Sequence, residues 1–329
     1  MPAAPTYPRL LGDIGGTNAR FALIRTQGGP LEDVRTLSGA LYEGPAEAIE
    51  AYLKEVGGDR PVSGGIGIAN PIDGDWIRMT NHTWAFSIDA VRKALGFTHL
   101  VFVNDFTALA LSLPHLPANE LDQIGGTQAE KGGCIGVIGP GTGLGVSGLV
   151  PSPAGYIPLS GEGGHATVAA TTAEEAAVIA EVGRHYPHVS AERVISGPGL
   201  VTLHEALAAV RGIPSPGLSA PQITDGALSG KDSLALDSIN MFCALLGTIA
   251  GNLALTLGAK GGVFIGGGIV PRFGELFART PFRERFEAKG RFRDYLATVP
   301  VFVIHSAYPA LVGAAEALER ALVQPPLNR

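Results

Sequence analysis

The run Arg9-Leu-Leu-Gly-Asp-Ile-Gly-Gly-Thr-Asn-Ala-Arg-Phe-Ala-Leu-Ile24 decides how this chain is built. Two apolar runs, Arg9–Asp13 and Ala19–Ile24, flank a tight turn at Ile14-Gly-Gly-Thr-Asn18, the pattern of a β-hairpin. The pattern returns downstream. Cys134-Ile-Gly-Val-Ile-Gly139 leads through Pro140-Gly-Thr-Gly143 into Leu144-Gly-Val-Ser-Gly-Leu-Val150, again strand, glycine turn with a threonine, strand. A repeated unit of this kind implies two related halves.

Outward from the hairpins, Ser63–Ala69, Leu100–Val103 and Gly262–Ile265 read as strands, and Pro45–Val56 and Ser87–Leu95 as helices, so strands alternate with helices in an α/β layer. The second half is richer in helix, over 173–183, 201–210 and 234–257, and Pro309–Val323 closes the chain as an amphipathic helix. At 329 residues and 46% hydrophobic content, the chain has material for two domains.

Composition removes several classes of function. A net charge of −6, spread without long runs of either sign, leaves no footprint for nucleic acid or an anionic membrane. The two cysteines, Cys134 and Cys243, lie in apolar segments without metal-ligand spacing, and read as core residues. Met1–Tyr7 carries Pro2 and Pro5 but no basic patch followed by an apolar core, so no secretory signal is read and a cytoplasmic protein is expected. Ile239–Ala259 has no charge, is long enough to span a bilayer, and holds Gly247 and Gly251 in G-x-x-x-G spacing. Its Asn240, Thr248, Asn252 and Thr256 would be costly in lipid, and a buried helix is expected instead.

A triphosphate needs close donors from several directions, and successive backbone N–H groups in a glycine turn supply them. Gly15, Gly16 and Thr17 suit that role, with Asp13 at the strand end able to hold a magnesium ion through water. A plain hairpin would explain this turn alone; Gly141, Thr142 and Gly143 form the second turn that a phosphate clasp needs. A P-loop requires G-x-x-x-x-G-K-[ST], which these clusters lack. Gly143-x-Gly145-x-x-Gly148 matches a dinucleotide fingerprint, but Leu149, Val150, Pro151 and Pro153 continue a strand where that motif must open a helix.

With both turns in place, the chain resembles the bacterial glucokinase family, the zinc-free branch of the hexokinase-like group. The resemblance rests on Gly12–Arg20, Met79-Thr-Asn-His-Thr-Trp-Ala-Phe-Ser87, Asn104-Asp-Phe-Thr-Ala108, Gly161-Glu-Gly-Gly-His165, Ser190–Val194 and Gly266-Gly-Gly-Ile-Val-Pro-Arg272, and covers almost the whole chain. It departs only in a proline-containing extension before Arg9 and in Pro140. The resemblance implies an α/β, two-domain actin-like ATPase (ribonuclease H-like) fold, with a cleft between a smaller α/β domain (1–115 plus 305–329) and a larger α+β domain (116–304). Glucose binding is expected to draw the two together. It further implies ATP-dependent phosphorylation of the 6-hydroxyl of glucose, with Mg2+, in a homodimer. Gly12, Asp13, Ile14, Gly15, Gly16 and Thr17, with Gly141, Thr142 and Gly143, would bind the phosphates; Gly266, Gly267 and Gly268 would take the adenine and ribose.

Phosphoryl transfer to an alcohol needs a base for the hydroxyl proton. Asp105 follows Leu100–Val103 and so stands at the carboxyl end of a buried strand, where open α/β sheets bind ligands. From spacing alone, Asn104 and Asp105 serve equally well as caps of a helix starting near Phe106. The resemblance makes Asp105 the catalytic base and Asn104 a sugar ligand, and assigns Glu162, His165 and Glu192 to the sugar hydroxyls. Without it, Glu192 reads as helix surface and His165 as structural or exposed. A sugar-responsive regulator and a kinase for another hexose are the competing readings.

Overall fold

The opening hairpin forms as its apolar runs require: β1 (Arg9–Ile14) pairs antiparallel with β2 (Asn18–Ile24), from Arg9 opposite Ile24 to Ile14 opposite Ala19. A computed structural model describes residues 7–323, so the prolines at positions 2 and 5 lie outside the described residues. The chain divides into two units, one ending at Leu116 and resuming at Ser306, the other running Pro117–His305.

In the first unit β3 (Glu32–Ser38) joins the outer side of β2, β4 (Ser63–Ile68) runs parallel to β1, and the short β5 (Trp76–Arg78) and β6 (Ala85–Ser87) pair apart as a hairpin. β7 (His99–Asn104) lies parallel to β4, giving the order β3-β2-β1-β4-β7. Alternation along β1 sends Leu10 and Ile14 to one face and Leu11 to the other, and both faces are covered. Leu10 and Ile14 join a core with Ile49 and Tyr52 of α1 (Pro45–Val56), Val91 of α2 (Ile88–Ala94), and Trp84. Leu11 and Ala22 meet Leu311 of the C-terminal helix (Pro309–Val323), which also packs along α3 (Asp105–Ser112).

The second unit repeats the plan. β9 (Ile135–Pro140) and β10 (Leu144–Ser152) form its hairpin, β11 (Gly155–Gly161) lies outside β10, and β12 (Val263–Ile265) and β13 (Val301–Ile304) follow in parallel on the far side. With the edge strand β8 (Leu121–Gln123) set aside, the order β11-β10-β9-β12-β13 is that of the first sheet, strand for strand and direction for direction. The helices are α4 (Ala173–Gly183), α5 (Gly197–Arg211), α6 (Ala220–Leu228), α7 (Ser233–Leu257), α8 (Glu275–Arg279), α9 (Phe282–Glu287) and α10 (Arg293–Thr298).

The apolar helix α7 is long enough to cross a membrane by length and composition, but much of it is buried in the core of this unit. Its two spaced glycines have a local use: a Cβ at Gly247 would come within 2.3 Å of the Phe282 carbonyl, and one at Gly251 within 2.5 Å of that of Phe286, so α9 rests on the α7 backbone. Two polar side chains of α7 have partners in the same unit. Thr248 donates to the Ala244 carbonyl and accepts from Arg285, which also pairs with the buried Glu175 at 2.5 Å; Asn252 accepts from Lys289 at 2.7 Å.

One buried group ties stability to pH. His204 on α5 is 1% exposed; its Nδ1 lies 3.0 Å from Ser238 Oγ, whose proton goes to the Leu234 carbonyl, so Nδ1 carries the hydrogen and Nε2 is left without a partner. Burial holds the imidazole below its ordinary pKa, against weaker upward pulls from Asp232 and Glu205. The neutral form is the one the fold accepts. Its contribution is therefore complete above the unfolded value of about 6.5 and is lost as pH falls toward the lowered folded value. We expect the Tm of His204→Asn, whose amide can replace the Nδ1 donor, to fall less than that of wild type between pH 7.5 and 5.5. Parallel Tm curves in differential scanning calorimetry would contradict this.

Candidate functional site

The parallel strands bring one set of predicted residues together at a single sheet edge. Ile14, Ile68 and Asn104 stand in one row across β1, β4 and β7, so the Gly15–Thr17 turn and the start of α3 leave the same end of the sheet on either side of β4. Gly67 sits between them: the position of a Cβ there is 3.8 Å from both the Gly12 carbonyl and the Asp105 Cα. The turn is closed by Gly15 N–H donating to the Asn18 carbonyl (2.9 Å). The Gly16 and Thr17 N–H groups find no acceptor among the described residues, and Thr17 is exposed, which leaves two donors for an anion. Gly12 and Ile14 lie inside the strand, Gly12 packed between Ile66 and Phe21 and Ile14 in the core, so they shape the hairpin from behind.

Asp13 lies directly across the hairpin from Arg20, whose guanidinium is 3.2 Å from Oδ2. Burial raises the pKa of this carboxyl and Arg20 opposes the rise. A hard carboxylate oxygen, a quarter exposed on the strand that leads into the Gly15–Thr17 turn, fits a Mg2+ that keeps most of its ligands as water. Among the described residues no group of three or more His, Cys, Asp or Glu offers a cage made by protein alone.

Asn104 and Asp105 divide the work that spacing left ambiguous. Asn104 is the N-cap of α3, accepting from Phe106 N (3.0 Å) and Thr107 N (3.2 Å), and the helix starts at Asp105, one residue before the position expected. Its amide nitrogen donates to Asp105 Oδ1 at 3.1 Å, and Phe106 N–H donates to the same oxygen at 2.8 Å. The carboxylate is thus held at a helix N-terminus, where negative charge is favoured.

The second unit gathers its own set around the start of β10. Gly141 N–H donates to the Gly143 carbonyl (2.8 Å), closing a turn one residue tighter than the one that Gly15 N–H closes onto Asn18. Gly266 N–H donates to the Ile138 carbonyl, and Gly267 adopts φ +78 with its Cα face against Pro140 O, where a Cβ would come within 2.3 Å. Only glycine can close the Gly266–Gly268 turn onto the Gly141–Gly143 hairpin. The Glu162–His165 loop lies on β10, with Gly164 against the Leu144 carbonyl, and leaves both side chains more than half exposed, His165 Nε2 4.0 Å from Glu162 Oε2. Ala191 N–H donates to the Ala166 carbonyl and so draws the Glu192 segment onto this loop. Glu192 is not helix surface. It lies in a short 3-10 turn and accepts from Leu144 N–H at 2.9 Å.

The glucokinase family model matches residues 10–321. The chain is 54% identical to a glucokinase of Aromatoleum aromaticum, over 96% of each chain. The chain belongs to the glucokinase family. The crystal structure of glucokinase from an Antarctic psychrotroph superposes with a TM-score of 0.88 at 39% identity, covering 96% of this chain and all of that one. A glucokinase of the ROK family from Streptomyces griseus, crystallised with glucose and AMPPNP, shares the fold at a TM-score of 0.67 and 20% identity, covering 95% of this chain and 100% of that one. The fold is thus the actin-like ATPase fold of the glucokinases and ROK sugar kinases.

Within this glucokinase fold, the Met79–Ser87 motif acquires a physical account that spacing did not supply. Trp84 is 1% exposed and donates from Nε1 to the Tyr42 carbonyl; His82 stacks edge-on against it and lies over Gly39, whose N–H donates to Thr17 O. The Asn81 carbonyl faces Gly16 from behind. The motif therefore buttresses the Gly15–Thr17 turn. Asn70, beyond the end of β4, is a site-edge residue that sequence reading missed: its carbonyl is 3.5 Å from the Asn104 amide, and its Oδ1 accepts from Thr80 N at 3.2 Å. A concavity of about 630 Å3 beside α1, lined by Tyr42, Lys54 and Arg60, contains none of the site residues.

Proposed function

We propose that this chain transfers the γ-phosphoryl group of ATP to the 6-hydroxyl of glucose, giving glucose 6-phosphate and ADP. The observation that carries the reading is a carboxylate at the first position of α3, bonded to the amide of its neighbour, on the same strand-end row as a phosphate turn. Asp105 takes the proton of the 6-hydroxyl as that oxygen bonds to the γ-phosphorus and the bond to the ADP oxygen breaks. Asn104, Glu162, His165 and Glu192 hold the remaining hydroxyls. Gly15–Thr17 and Gly141–Gly143 bind the phosphates, and Gly266–Gly268 provide backbone against the nucleoside. Mg2+, when bound, neutralises phosphate charge, and Asp13 holds it through water. We place the enzyme in the cytoplasm and assign it a homodimer.

A coupled assay over glucose, mannose, fructose and N-acetylglucosamine, each with ATP and with polyphosphate, tests the reading. Turnover is expected to be highest with glucose and ATP. A higher kcat/KM for another sugar, or for polyphosphate, would reassign the substrate.

A further inference from the structure

The segment Glu192–Gly197 is fastened to the Gly141–Gly143 turn at both of the turn's ends. On one side the Glu192 carboxylate accepts Leu144 N–H at 2.9 Å; on the other, Gly197 N–H donates to the Gly141 carbonyl at 2.8 Å. The carboxylate packs so closely that a Cβ at Gly143 would be 2.4 Å from Oε2. Between these fastenings the segment is locked by Ser196, 2% exposed, which donates to the Glu192 carbonyl (2.8 Å) and accepts from Gly199 N–H (3.0 Å) as the N-cap of α5.

We propose that Glu192, through this brace, is a positioning residue for the nucleotide's phosphates as well as a sugar ligand, so that one side chain couples the two substrates. The proposal rests on the reading of Glu192 as a ligand of the sugar. A carboxylate has two oxygens: Oε2 is committed to Leu144 N–H, at the residue that follows the phosphate turn. A hydroxyl taken by the other oxygen would then fix the carboxylate's rotation, and with it the end of the turn. The coupling is reciprocal by linkage, each substrate improving the other's affinity by the same factor.

Calorimetric titration of glucose and of MgAMPPNP, each alone and with the other saturating, separates the possibilities, the mutual tightening seen in wild type being expected to vanish in Glu192→Ala. For Glu192→Ala both Kd values are expected to rise, that of the analogue by about ten- to a hundredfold, the effect of losing one charge-assisted hydrogen bond. Glu192→Gln keeps an oxygen for Leu144 N–H and should hold the analogue Kd within about twofold of wild type while glucose binding weakens. Ser196→Ala, at a buried residue whose hydroxyl bonds only backbone groups of its own segment, should weaken the analogue and leave glucose unchanged. The coupling proposal fails if Glu192→Ala weakens glucose alone and Ser196→Ala leaves the analogue unchanged. If Glu192→Ala weakens the analogue alone, the sugar-ligand reading fails and the brace stands. Should Glu192→Ala not fold, the Gln and Ser196 variants decide the question.

Discussion

Replacement of Asp105 by Ala or by Asn is expected to lower kcat by about two to four orders of magnitude, the contribution of a positioned general base, while glucose still binds with a Kd within a few-fold of wild type. The loss corresponds to roughly 3–5.5 kcal/mol of transition-state stabilisation. The competing explanation is structural, because Asp105 occupies the first position of α3 and its Oδ1 accepts from Phe106 N–H and from Asn104. The magnitudes separate the two. The capping is performed by Asn104, and a carboxylate in the first helical turn contributes only about 0.3–1 kcal/mol through the helix dipole. A helix-end defect of that size shifts Tm by a few degrees and cannot remove the activity. Asp105→Asn retains an acceptor for Phe106 N–H, so it should fold almost as stably as wild type and still be inactive. If Asp105→Asn turned over within tenfold of wild type, Asp105 would be a helix-terminal residue and the base would have to be sought elsewhere.

The two glycine-threonine hairpins were legible because such a turn between apolar runs is a local signal, needing no distant partner. The same holds for α1, α4 and the C-terminal helix, whose spacing of apolar residues, together with Pro45 at the start of α1 and Thr172 capping α4, fixes their extent. Other elements were invisible for physical reasons. β8 pairs Leu121 with Ile304, and no local pattern announces a three-residue strand whose partner is so distant in sequence. β11 contains Pro158, which is tolerated because this strand lies at the sheet edge, a fact available only from topology. Helices α8, α9 and α10 have five or six residues, too few for a helical period to be read. In the candidate site, Glu162 and His165 share one loop and could be paired from spacing, whereas the bond from Leu144 N–H to Glu192 crosses 48 positions of sequence. The second role of Glu192 is therefore a property of the fold, not of any motif.

Gly313→Ala is expected to destabilise the first unit by about 3 kcal/mol or more, the upper part of the range for overpacking a core, and to lower Tm by roughly 6–12 °C at about 2–4 °C per kcal/mol. Helix propensity predicts the opposite sign, since alanine in a helix interior is favoured over glycine by about 1 kcal/mol. Contact geometry decides between them. A Cβ at Gly313 would lie 1.6 Å from the Ala108 carbonyl oxygen and 2.5 Å from its carbon, backbone atoms of α3 that cannot rotate away. The next residue of the same helix is pressed against the sheet in the same manner, because a Cβ at Gly65 of β4 would be 2.2 Å from the Ala314 carbonyl. The C-terminal helix is thus wedged between α3 and the sheet with no side chain intervening at either contact, and it cannot retreat from one without separating from the other. A methyl group at 313 must therefore displace α3, the helix that begins with Asp105. Activity should fall along with stability, through kcat more than through KM for ATP. Gly183→Ala, at an exposed helical glycine where the nearest atom to the new methyl is 3.8 Å away, serves as the control and should be neutral or slightly stabilising. A Tm for Gly313→Ala within 2 °C of wild type would mean that α3 and the C-terminal helix are packed with slack, and that the position of Asp105 does not depend on this backbone contact.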